Sequence, residues 1–174
     1  MNKRKIKING YLVVLASLIL ILSSCATGRQ AGDSGVNWKK VSVLVYTKNG
    51  KGYLHDNIPS AVACIRLLGK QHGFAVDVSD NPADFNEANL KKYNALIFTS
   101  TNNEVFDSDA QKVALMRYIQ AGGGFVGIHS VTGTERHWQW FIRLVGGTFV
   151  RHARHQAFQE IIIDTTHSST SFLA

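Results

Sequence analysis

The sequence predicts an α/β fold built on a mostly parallel sheet, and three observations predict it. Short apolar runs rich in β-branched residues alternate with stretches whose apolar residues recur at helical spacing. Glycine, proline or polar loops separate them. The most telling run is Gly122-Gly123-Gly124-Phe125-Val126-Gly127-Ile128-His129-Ser130, in which three glycines stop a helix and a histidine stands where the apolar run ends. Such a run reads as a strand buried on both faces, as parallel sheets require.

The elements follow in order. Val41-Ser42-Val43-Leu44-Val45-Tyr46 is the first strand, and Thr47 to Asn57 is a loop carrying Tyr53 and His55. Pro59 suits the first turn of a helix, where its missing N–H costs nothing. From there Ile58, Ala61, Val62, Ile65, Leu68, Gly69 and His72 form a stripe that packs on a sheet, with Gly73 as its stop. Cys64 beside that stripe reads as a small buried hydrophobe. Phe74 to Val78 is the second strand, Asn81-Pro82 a turn, and Phe85 to Leu90 a short helix. Ala95-Leu96-Ile97-Phe98-Thr99 is the third strand, ending in the polar loop Ser100-Thr101-Asn102-Asn103. Asp107 or Ser108 caps a helix with Ala110, Val113, Met116 and Ile119 on one face, and this helix leads to the triple glycine. A short helix ends at Val145, with Trp138 and Trp140 expected on different faces by their spacing. Phe149 to His155 is a basic loop or edge, and Gln159 to Asp164 a further strand. Thr165 to Ala174 then trails off without a closing helix, which leads us to expect a C-terminally truncated version of a longer domain.

The 174 residues, 45% hydrophobic and 18% charged, belong to a globular chain with one real core. A formal charge of +7 suggests nucleic acid until the basic residues are located. Lys3, Arg4, Lys5 and Lys7 precede an uncharged run from Tyr11 to Leu22, the pattern of a secretory leader. Without those four, 15 of the 19 basic residues remain against 12 acidic ones, a net charge of about +3. No nucleic-acid partner is therefore expected. The apolar run of about 12 residues is short for a membrane span. It ends at Leu22-Ser23-Ser24-Cys25, like a bacterial lipoprotein box, in which the cysteine becomes the lipidated N-terminus. The expected organisation is a lipoprotein signal peptide at 1–24, a flexible tether at 25–37 and one domain at 38–174, anchored by lipid at the bacterial cell envelope without spanning the membrane. With Cys25 acylated, Cys64 has no partner for an intramolecular disulfide.

In an open α/β sheet, ligands sit outside the carboxyl ends of the strands. That rule gathers Tyr53 and His55, Asn102 and Asn103, and His129, Ser130, Thr134 and Glu135 around one crevice, with His152 from a later segment over the rim. Hydroxyls and amides bond sugar hydroxyls, and aromatic faces stack on the apolar face of a pyranose. A polar ring ending an apolar strand points to a site. His55 equally suits a solvated loop, Glu135 also suits charging the start of the next helix, and a tryptophan such as Trp138 is more often core than ligand platform. The glycines join neither the dinucleotide nor the phosphate-loop pattern. Local metal spacing of the HExxH type is absent, although the histidines keep a divalent metal on His55, His129 and His152 in view.

The chain resembles the ThuA-like trehalose-utilisation family of the class I glutamine-amidotransferase-like superfamily. The stretches that carry the resemblance are Val41 to Tyr46, Gly52-Tyr53-Leu54-His55 with Ile58-Pro59, Tyr93 to Phe98, Tyr118 to Ser130, Thr134-Glu135, Trp138, Leu144-Val145-Gly146-Gly147 and Phe149-Val150-Arg151-His152. The resemblance implies a flavodoxin-like three-layer sandwich and a role in carbohydrate metabolism. The related amidotransferases carry a cysteine nucleophile in the sharp turn after this strand; here the turn carries His129, which argues against cysteine-dependent glutamine hydrolysis. The expected function is a carbohydrate-active domain that handles a sugar, keto-sugar or glycoside. His129 is its acid/base, with Glu135 and His55 as catalytic partners, and Tyr53, Asn102, Asn103, Ser130, Trp138 and His152 hold substrate. The alternatives are a non-catalytic sugar-binding or scaffold module of an envelope enzyme complex, and a metal-dependent hydrolase.

Overall fold

The computed structural model describes residues 35–154 and 156–173. The expected leader, the expected lipidation site Cys25 and nearly all of the expected tether lie outside the described residues. Among those described, four parallel strands form one sheet: β1 (Ser42–Tyr46), β2 (Ala75–Ser79), β3 (Ala95–Thr99) and β4 (Gly124–Ile128), in the order β2-β1-β3-β4. The helices are α1 (Ile58–His72), α2 (Glu87–Leu90), α3 (Asp109–Gln120) and α4 (Gln139–Val145). This is the flavodoxin-like α/β arrangement, in which the strand order reverses between β1 and β3.

Side-chain alternation along the strands divides the core in two. Leu44, Tyr46, Leu96 and Phe98 face α2, α3 and α4, where Phe85, Leu90, Leu115 and Phe141 complete a buried cluster. Val43 and Val45 face the opposite way, against Ile65 of α1 and the half-buried Val62, Val76 and Ile97. Tyr46, Phe85, Phe98 and Phe106 interlock as an aromatic group, with the Tyr46 and Phe85 centroids 4.5 Å apart. The Tyr46 hydroxyl donates to the Val105 carbonyl at 2.6 Å, which satisfies its polar end within the core.

Local chemistry explains the element ends. Gly73 closes α1 at φ 90°, its N–H donating to the Gly69 carbonyl at 2.7 Å. The expected turn at Asn81-Pro82 is a 3-10 turn, Pro82–Asp84, and the expected short helix is α2, which starts at Glu87. Asn81 and Asn86 start the two elements, their side chains accepting from Ala83 N and Asn89 N respectively. Ser108 precedes α3, but its side chain makes no capping bond.

Four expectations are corrected. β4 is not buried on both faces, because among the described residues it is the edge of the sheet with no strand beyond it, and Val126 is 46% exposed. Gln159 to Asp164 forms no strand; Ile161 and Ile163 are 83% and 96% exposed. Three consecutive isoleucines carry local β propensity, but a strand exists only where a neighbour pairs with it. Cys64 is exposed, because it lies one position off the Ile65 and Gly69 stripe and so about 100° around α1 from it. Trp138 stands before α4 in extended backbone, so its ring stacks on Trp140 at 5.1 Å instead of diverging from it. No helix among the described residues is long and apolar enough to cross a membrane.

After β4 the chain makes a 3-10 turn at Ser130–Gly133 that folds back over the strand. A Cβ on Gly127 would lie 2.4 Å from a methyl of the buried Val131. Gly127→Ala is therefore expected to lower stability by about 1–3 kcal/mol, read as a fall in the urea midpoint with the slope unchanged.

Candidate functional site

Three connections meet at the carboxyl ends of the strands. The loop after β1 brings Tyr53, His55 and Asp56, the loop after β3 brings Asn102, and the turn after β4 brings His129 and Ser130. Together with Gly133, Arg136, Phe149 and His152 they line a crevice of about 680 Å³. It opens beside the point between β1 and β3 where the fold class places its ligands.

His129 holds a backbone conformation of φ 59°, ψ −102°, costly for any side chain but glycine. Neighbouring bonds keep it there. The Ser100 N–H donates to the Ile128 carbonyl at 3.1 Å, and the Ser130 hydroxyl donates to the Thr101 carbonyl at 3.1 Å. The turn lifts the imidazole out of the sheet and into the crevice, where it meets His55 with ring centroids 4.6 Å apart and planes near perpendicular. Tyr53 meets the other side of His55 at 4.8 Å. A row of three rings thus forms one wall. Burial chiefly lowers the proton affinity of His55; His129 lowers it further, and Asp56 opposes both.

Asn102 is a strut. Its Nδ2 donates to the Tyr53 carbonyl at 3.3 Å, while its Oδ1 accepts from Arg136 Nη2 at 3.1 Å and from the Asn103 N–H at 3.1 Å. Gly133 allows this, since a Cβ there would come within 2.6 Å of that oxygen. The β1 loop, the β3 loop and the segment after β4 are therefore tied through one amide. His152 lines the crevice, with Nδ1 3.0 Å from the Ala153 carbonyl.

Three residues expected in the site stand elsewhere. Glu135 is 2% exposed. Its Oε1 accepts from the Val105 and Phe106 N–H groups at 2.9 and 3.2 Å, and its Oε2 pairs with Lys112 at 2.8 Å. A backbone φ of 48° turns that carboxylate toward α3 and away from His129. Trp138 packs against Phe106, Trp140 and Phe141 with the Lys112 ammonium over its ring, on the same side as Glu135. Asn103 uses its Nδ2 to hold the Lys51 carbonyl at 3.0 Å. Conversely, Arg136, Phe149 and Asp56 line the crevice without having been singled out from the sequence. Arg136 follows directly on Thr134-Glu135, and that adjacency was the available signal. Among the described residues, no group of three or more His, Cys, Asp or Glu side chains stands close enough to hold a metal ion.

The chain matches the family model described as "ThuA: Trehalose utilisation" over residues 42–174. A solved structure from Bacteroides uniformis ATCC 8492, described as a ThuA-like protein, is similar in fold with a TM-score of 0.51 and 24% identity over 69% of this chain. The match spans 48% of that protein's length. No curated protein matches the chain significantly.

Two outcomes are expected. Removing the buried Glu135 carboxylate strands Lys112 and two backbone donors, so Glu135→Ala costs about 2–4 kcal/mol in thermal or urea unfolding. Because His55 binds its proton less readily in the fold than in the unfolded chain, its contribution to stability is complete above the ordinary histidine value of 6.5 and is lost as pH falls below it. His55→Gln should flatten the stability profile across that acid window in a pH series of melting curves.

Proposed function

The chain belongs to the ThuA trehalose-utilisation family, and on that premise we propose that its crevice holds a sugar or keto-sugar glycoside against His129. Membership ties the chain to carbohydrate utilisation; the crevice residues supply the finer reading. The observation that carries it is the row Tyr53–His55–His129 along one wall of a 680 Å³ crevice at the carboxyl edge of the sheet. Aromatic faces present a platform for the apolar side of a pyranose, and two imidazoles supply a proton donor and acceptor at hydrogen-bonding reach of one another's substrate.

The roles follow from the environment. His55, with its proton affinity depressed, is the neutral ring near pH 7 and suits the acceptor. His129, exposed at the turn and opposite it, suits the group that gives or takes the substrate proton. Asn102 and Ser130 direct their polar groups into the scaffold and act by holding the walls in register. The position that a thiol would occupy in cysteine-dependent amidotransferases carries an imidazole, which supports proton transfer over acyl transfer. The basic segment, apolar run and Cys25 support a lipid anchor that holds the domain at the cell envelope.

A second reading, binding without turnover, is favoured by one observation. The Glu135 carboxylate is taken up by Val105, Phe106 and Lys112, so the imidazole pair lacks a buried carboxylate to orient it. Turnover of a keto-glycoside by the full chain, compared with His129→Ala, separates the two. Catalysis by His129 predicts a rate loss of about 10²–10⁴-fold; unchanged turnover removes its catalytic role. Sugar affinity by calorimetry without product selects the binding module.

A further inference from the structure

We propose that the crevice takes its sugar as an anion, with a carboxylate or phosphate group of the ligand seated on Arg136. The inference rests on the carbohydrate reading above and adds the charge of the substrate to it. Arg136 lines the same crevice as His129 and is half-buried there. Its Nε donates to the Gly133 carbonyl at 3.0 Å and its Nη2 to Asn102 Oδ1 at 3.1 Å. Both acceptors are neutral. They fix the plane of the guanidinium without cancelling its charge, and among the described residues Nη1 has no acceptor and Arg136 has no ion-pair partner. Phe149 lies 5.8 Å from the guanidinium carbon and shields one face from solvent.

A partly desolvated cation without a counter-charge is unfavourable until an anion arrives. The rest of the lining fits that arrival. Besides the Tyr53 phenol, its other ionisable groups among the described residues are the imidazoles of His55, His129 and His152 and the carboxylate of Asp56, which is exposed. A cationic amino sugar would meet Arg136 and gain little; an anionic sugar gains a charge-assisted bond in a planar, pre-oriented fork. The scaffold spends an amide and a tight glycine on holding this one side chain. Arg136 is thus a specificity-determining residue, and its contact is to the charged group of the sugar, not to the reacting centre at His129.

The test is calorimetric titration of the full chain with glucose, glucuronate and glucose 6-phosphate, repeated with Arg136→Gln and Arg136→Lys. The proposal predicts that an anionic sugar binds roughly tenfold or more tightly than glucose. The advantage should fall with added salt, be abolished by Arg136→Gln and be kept in part by Arg136→Lys. Which of the two anions wins identifies the group. Equal binding of glucose and both anions by the unaltered chain overturns the proposal and leaves the carbohydrate reading standing. No binding of any of the three overturns both. The comparison within the unaltered chain decides the matter even where Arg136→Gln loosens the turn.

Discussion

The backbone turn at His129 is the constraint around which the carboxyl edge of the sheet is arranged. A φ of 59° with ψ of −102° is unfavourable by on the order of 1–3 kcal/mol for a residue with a side chain, and it persists only where the surroundings over-determine it. Here they do. Gly127 lets Val131 fold onto the strand, Ser130 and Ser100 tie the turn to β3, and Asn103 takes the Gly133 carbonyl through its N–H at 2.9 Å. Ser100, Asn103 and Glu135 also have positive φ, so the strained positions collect at one end of the sheet. The result is an imidazole thrust into a crevice instead of lying in the strand.

Charge is divided across that edge by the same backbone. Glu135, Lys112 and Trp138 form a unit on the side of α3, where the carboxylate anchors the loop at Val105 and Phe106. On the other side stand the imidazoles and Arg136, where the counter-charge is a single exposed aspartate. One side holds the loops through bonds within the protein; the other lines the crevice. Neighbouring residues in sequence, Glu135 and Arg136, therefore turn to opposite sides of that edge, one into the loop anchor and one into the crevice.

Much of this was legible in the sequence. The apolar run after Gly122-Gly123-Gly124 marked strand β4 and placed a histidine at its carboxyl end. But β4 is not buried on both faces: it is an edge strand among the described residues, and Val126 is 46% exposed. Tyr53, His55, Asn102, Ser130 and His152 reached the crevice because the parallel-sheet rule delivers whatever follows a strand to one edge. The rule does not say to which side of that edge a side chain turns. Glu135 went the other way because its φ is positive, and Trp138 because it precedes α4 instead of lying in it; neither dihedral angle has a local sequence signature. The isoleucines from Ile161 had the propensity of a strand, but pairing depends on a partner distant in the chain. Cys64 shows the same limit on a smaller scale: Ile65 and Gly69 of the expected α1 stripe are buried, whereas Leu68 and His72 are exposed, and one step around the helix from Ile65 puts the thiol on the surface.

We place the ligand site at the ring row and Arg136, and not on the Glu135 side. Side-chain NMR of the full chain during titration with an anionic sugar tests it most directly. With the ligand at that site, the ring nitrogen signals of His55 and His129 and the guanidinium signal of Arg136 move together and saturate, while the Trp138 indole stays still. Movement of Trp138 with silent imidazoles would contradict it.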